Sequence, residues 1–236
     1  MTTPLTRGEA SAAVEDLGWR YLLGALATSV AVESMAQAVS IATEVVGACG
    51  ADADAHLRVD VRPDRVDLTL MDRALVTATA RDVELARVIT EVVSRLGLAT
   101  GGVSAATSPG RPVQAIEIAI DALDIPAVRP FWKAVMAYVD ERNNGEPDDG
   151  LIDPVRQGPT IWFQQMDEPR VQRNRIHFDV TVSHDEAEAR VNAAVDAGGH
   201  LVNDAHARSF WILADVEGNE VCVCTWQDRD VGPRTP

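Results

Sequence analysis

One order of elements occurs twice in the chain, and that repeat limits the fold more than any other feature. After Val113 a strand-like run reaches Ile120, Asp124 supplies an N-cap residue, Val128–Val139 has helical spacing, and Thr160–Gln165 is again strand-like. Pro126 and Pro130 fall near the helix start, where proline is tolerated. The order then returns. Arg175–Val182 is strand-like, Asp185–Ala197 is helical with Gly198 and Gly199 as its stop, and Ser209–Leu213 and Glu220–Thr225 are strands. Glu117 and His177 lie on the first strands, sixty residues apart, and Gln164 and Glu220 lie on the last strands, fifty-six apart. Such a period predicts two βαβββ units.

Alternation along a strand assigns faces. It groups Glu117 with Ala119 and Asp121, His177 with Asp179 and Thr181, and Glu220 with Cys222 and Cys224. If these faces point inward, they line a polar cup. Gln164 and Gln165 fall on opposite faces, and Gln164 is taken as the inward one. Cys222 and Cys224, ~6.5–7 Å apart on one strand, are awkwardly placed for joint ligation or a disulfide and read as small buried hydrophobes. His184, His200 and His206 sit in polar, loop-like contexts and read as surface residues.

The chain has 236 residues, enough for one large domain or two modest ones. Ser104–Pro112, a run of small residues with Pro109, Gly110 and Pro112, suits neither helix nor strand and is read as the boundary between domains 1–106 and 113–236. Upstream, Glu33–Val46 and Arg81–Leu96 have helical spacing and Val59–Leu70 alternates as a strand, so the whole reads as α+β. A formal charge of -15 repels phosphate backbones and anionic headgroups, so neither nucleic acid nor membrane is an expected partner. The apolar stretch Leu22–Val32 falls short of the ~20 residues that span a bilayer. Three cysteines cannot all pair, and the N-terminus lacks a basic region followed by an apolar stretch; a cytoplasmic chain is expected.

Three pieces of the second half carry a family resemblance: Asp124 with Phe131-Trp132, Asn174-Arg175-Ile176-His177-Phe178-Asp179, and the run from Asp215 through Cys224. Val113–Asp228 resembles the glyoxalase/bleomycin-resistance/dioxygenase superfamily, also called the vicinal oxygen chelate fold. The resemblance implies a cup of two βαβββ units with a divalent metal held by the first and last strand of each. Carried over, the ligands are Glu117, Gln164 or Gln165 (Gln164 preferred), His177 and Glu220, with Glu117 standing where the family's metal enzymes usually have histidine. Such a set suits Mn, Fe, Ni or Zn, and the implied activity on a small-molecule substrate is that of a lyase, isomerase or dioxygenase. Metal-free sequestration of a small molecule, as in the family's drug-resistance members, is the alternative, and the negative charge then favours a cationic ligand.

The first half is similar to pterin-4a-carbinolamine dehydratase, on the strength of Trp19, Ser34–Val46, Arg65–Leu70 and Thr79–Arg87. That family's signature is a His-His-Pro turn and a later histidine, because loss of a 4a-hydroxyl needs a general acid and base near neutrality. Here the turn reads Ala55-His56-Leu57 and the later position falls near Arg73, so His56 alone remains as a catalytic candidate. A guanidinium cannot cycle a proton at pH 7, and dehydratase activity is not expected. Both resemblances, with exposed sheet edges, imply a homodimer.

Overall fold

The computed structural model describes residues 4–101, 113–141, 146, 149–169 and 176–228, and the chain divides into two compact units, 1–115 and 116–236. The boundary run Ser104–Pro112 lies outside the described residues, as do Asn174 and Arg175.

In the first unit the elements run α1 (Arg7–Val14), β1 (Arg20–Leu22), β2 (Ala25–Ala31), α2 (Met35–Cys49), α3 (Ala53–His56), β3 (Leu57–Val61), β4 (Arg65–Leu70) and α4 (Ala80–Arg95). The strands form an antiparallel sheet in the order β1-β2-β4-β3. Alternation sends Leu26 and Val30 of β2, with Val66, Leu68 and Leu70 of β4, into a core shared with Ile41 and Val45 of α2 and Ala86, Ile89 and Val93 of α4. Trp19 is fully buried there, its indole N–H donating to the Thr90 hydroxyl at 3.0 Å.

Two features differ from the sequence reading. The alternating run Val59–Leu70 is not one strand but the hairpin β3–β4, because Pro63 and Asp64 turn the chain and Arg62 N–H bonds Arg65 O at 2.9 Å. Within Leu22–Val32 lies most of a second hairpin, turned at Leu23 and Gly24, whose φ values of 46° and 83° match the mirror-image turn that suits strand twist.

The second unit has β5 (Glu117–Ala122), α5 (Ile125–Met136), β6 (Val139–Asp140), β7 (Leu151–Ile152) and β8 (Thr160–Gln165), then β9 (Phe178–Thr181), α6 (Ala187–Asp196), β10 (His200–Asn203), β11 (Phe210–Ala214) and β12 (Glu220–Cys224). The two βαβββ copies have equivalent sheets, β5-β8-β7-β6 and β9-β12-β11-β10. In each, first and last strands are parallel neighbours. One core serves both copies: Ile120, Ile161 and Phe163 of the first sheet and Leu213, Val221 and Val223 of the second pack with Phe131 and Trp132 of α5 and Val191 and Ala194 of α6. Gly199 touches this core so closely that a Cβ there would stand 2.1 Å from Phe131 Cδ2. No helix among the described residues is long and apolar enough to cross a membrane.

Candidate functional site

The face of each sheet opposite the helices carries the polar side chains. On the first sheet β5 pairs with β8 so that Glu117 stands beside Thr160, Ala119 beside Trp162 and Asp121 beside Gln164. Their neighbours Ile120, Ile161 and Phe163 point into the core, leaving Glu117, Trp162 and Gln164 exposed. Gln165 falls on the other face, where its side-chain amide donates to Leu123 O at 2.8 Å and Met166 O at 3.0 Å.

On the second sheet Val221 pairs with Phe178 and Cys222 with Asp179, which sets Glu220 and His177 beside each other at the strand starts. Glu220 is half-buried there. The repeat thus matches Glu220 with Thr160, and Gln164 sits four residues further along β8, about 13 Å from the rung that holds Glu117. The ligand atoms of Glu117, His177 and Glu220 do not gather within 4.8 Å of one another.

Among the described residues the set that does gather is His177, Asp179 and Cys222, with one ligand atom of each within 4.8 Å of the others. His177 Nε2 lies 3.5 Å from Asp179 Oδ1, and both side chains are more than half exposed, whereas Cys222 is 7% exposed. Burial, and then the charge of Asp179, pushes the Cys222 thiol up to about 11, so without a cation beside it the sulfur keeps its proton and bonds the Asp179 carboxylate. Asp179 and Cys222 shared the site face by alternation; their convergence with His177 needed the cross-strand register.

The first unit holds a second polar cluster. Asp82 is fully buried at the third position of α4, where its Oδ2 accepts from the Thr79 backbone N–H at 2.8 Å and hydroxyl at 2.6 Å as a capping box. Its Oδ1 lies 2.9 Å from His56 Nδ1. Sequence reasoning named His56 and passed over Asp82, whose capping-box spacing from Thr79 was the available signal. His184 and His206 sit at the surface against Trp226 and Phe210, and His200 is exposed at the start of β10.

Residues 117–224 match the family model described as glyoxalase-like domain, and the second unit carries that domain. Similar solved structures include a glyoxalase/bleomycin resistance protein/dioxygenase family enzyme from Burkholderia phytofirmans PsJN, at 18% identity over 46% of this chain and 95% of that one, with a TM-score of 0.38. The fosfomycin resistance protein FosX from Listeria monocytogenes is similar at 10% identity over 47% of this chain and 88% of its own, TM-score 0.36. A transcriptional coactivator/pterin dehydratase from Brucella melitensis is similar at 22% identity over 38% of this chain and 98% of its own, TM-score 0.35. The sequence matches no curated protein.

Proposed function

We propose that the second unit binds a small molecule on the open faces of its first and last strands and acts on it, with a divalent ion, as a lyase, isomerase or dioxygenase of the glyoxalase-like class. One observation carries this reading: in both copies the polar residues of these paired strands, Glu117, Asp121 and Gln164 in one and His177, Asp179 and Glu220 in the other, lie opposite the core. Of the four residues carried over from the resemblance, His177 is proposed to face the ion, and Glu117, Gln164 and Glu220, spread along the same faces, are proposed to contact the bound small molecule. An ion with an open coordination position supplies polarisation of a substrate carbonyl or stabilisation of an enediolate-like intermediate. His177 offers a ring nitrogen in its neutral form, and Glu117, Asp121, Asp179 and Glu220 supply carboxylate proton acceptors on these faces.

A second reading, sequestration of an organic cation without metal, is favoured by one feature. Strands β5, β8, β9, β11 and β12 carry no lysine or arginine, while exposed Trp162 stands across from Ala119, with Glu117 and Asp121 on the two diagonals. Thermal unfolding separates the two. The enzyme reading expects α-hydroxycarbonyl compounds to raise the melting temperature only after Mn, Fe, Ni or Zn is added to chelator-treated protein. Sequestration expects aromatic ammonium compounds to raise it in chelator. The first unit is proposed to have lost dehydratase turnover, and the chain is proposed to self-associate as a dimer.

A further inference from the structure

We propose that His177, Asp179 and Cys222 form a three-ligand zinc site contained within the second βαβββ copy. Asp179 and Cys222 are register partners on adjacent parallel strands, so their side chains rise from one rung of the sheet. His177 precedes Asp179 by two residues on the same face, and its longer side chain brings Nε2 to 3.5 Å from Asp179 Oδ1. That distance exceeds the ~2.7–3.2 Å of an ordinary N–H···O hydrogen bond. It is close to the ~3.3 Å edge of a tetrahedron built on metal–ligand bonds of ~2.0–2.1 Å. The three ligand atoms all lie within 4.8 Å of one another, so no edge of the set is more than ~1.5 Å longer than that of the tetrahedron.

The donor types select the ion. One imidazole nitrogen, one carboxylate oxygen and one thiolate sulfur suit Zn, whereas Mn and Mg favour all-oxygen sets. Two anionic donors balance the charge of Zn²⁺, and on binding the Cys222 proton is released to solvent. The buried sulfur forms the floor and the exposed imidazole and carboxylate form the rim, so a fourth position faces solvent, the arrangement of zinc sites that keep a water or substrate ligand. Cys224, one step further along the same face at ~6.5–7 Å, lies outside the set.

The inference depends on the proposed function only for what the ion acts upon, and its test needs no substrate. Full-length protein purified without chelator is analysed for metal, then stripped and reloaded with Zn, Mn or Co. The expected result is one Zn per chain, Zn retained in preference to Mn, and a near-ultraviolet thiolate-to-cobalt charge-transfer band in the Co form. Cys222→Ser loses the band and His177→Ala loses stoichiometric metal, while Cys224→Ser keeps both. Far-ultraviolet circular dichroism checks that the variants fold, and the spectrum of the unsubstituted Co protein is decisive even if one does not. Failure to bind any ion on reloading, binding without a thiolate band, or a band that survives Cys222→Ser overturns the site. Zn bound by these three residues while α-hydroxycarbonyl compounds leave the melting temperature of the loaded protein unchanged sinks the proposed function instead.

Discussion

Trp132 on α5 donates its indole N–H to Asp215 Oδ2 at 3.0 Å, and these residues, 83 positions apart in the sequence, are both buried. Asp215 also accepts the backbone N–H groups of Glu217 and Asn219 through Oδ1 and the Asn219 side-chain amide through Oδ2. Glu217, on the same turn, accepts the N–H groups of Leu123 and Asp124 at the start of α5. The closing turn of the second copy therefore anchors the helix of the first. Every partner of the Asp215 carboxylate is a donor, so an amide in its place must turn one N–H toward another. Asp215→Ala is expected to destabilise the second unit by about 3 kcal/mol and Asp215→Asn by less, because both leave buried donors unpaired. Urea unfolding followed by tryptophan fluorescence measures both; a cost within error for Asp215→Ala would refute this reading.

A second tie joins α5 to the strand that follows it. Asp140 accepts from Lys133 Nζ at 2.6 Å and from the Arg129 guanidinium, and these hydrogen bonds, Lys133 first, hold its carboxyl below the usual range against the opposing effect of burial. A carboxyl lowered by folding adds stability above its unfolded value of ~3.9, and that stability is lost as pH falls through the lower folded value. Asp140→Asn should then cost about 1 kcal/mol at pH 7, a modest figure because the cluster is partly solvated. The difference from the unsubstituted protein should shrink below about pH 4. Urea midpoints at pH 7, 5 and 3.5 check the trend, and a difference independent of pH contradicts it.

How far the fold could be read depended on what each segment advertised. Thr160–Gln165 and the Asp124 cap were legible because alternation and a capping side chain are local signals. β2 was not, since its buried positions Leu26, Thr28 and Val30 include a polar residue and its outward ones, Ala25, Ala27, Ser29 and Ala31, are mostly alanine, so burial alternates without a matching alternation in hydrophobicity. The β3–β4 hairpin reads as one strand because alternation resumes directly after Arg62-Pro63-Asp64, yet the apolar positions shift there from odd (Val59, Val61) to even (Val66, Leu68, Leu70), and that break in phase is the mark of the turn. The same limit governs the site. Period two tells which face a residue is on but not how far along the sheet it stands, so Gln164 and Glu220 looked equivalent although a four-residue offset separates their places in the repeat. The mismatch between spacings of sixty and fifty-six contained that offset.

The proposed self-association is tested by what the first unit leaves uncovered. Met35, Val39 and Val46 are each about half exposed and lie on one side of α2, at spacings of four and seven residues. Such a stripe on an isolated unit is costly to hydrate, unlike scattered apolar residues. Light scattering is expected to give twice the chain mass of 25.4 kDa at micromolar concentration, and Val39→Lys to shift the protein toward monomer. A monomeric mass for the unsubstituted chain at high micromolar concentration rejects the dimer.

The chemistry of the first unit turns on two positions that the structure places side by side. Arg73 N–H bonds Ala55 O at 3.1 Å, and the Arg73 guanidinium donates to Leu57 O at 3.1 Å, so a methyl group and a permanent cation flank His56 where the dehydratase resemblance implies histidines. His56 itself is engaged with buried Asp82, which in turn caps α4. General acid and base groups contribute ~10²–10⁴-fold to such reactions, and an arginine cannot exchange its proton near neutrality. Added protein should therefore leave the dehydration of a 4a-hydroxytetrahydropterin at its spontaneous rate, followed by the change in pterin absorbance. His56→Ala should lower stability, since Asp82 Oδ1 is then left buried without its partner, at a cost of about 1–3 kcal/mol. Clear acceleration by the unsubstituted protein that His56→Ala abolishes would instead make His56 a working acid or base and this unit a catalytic one.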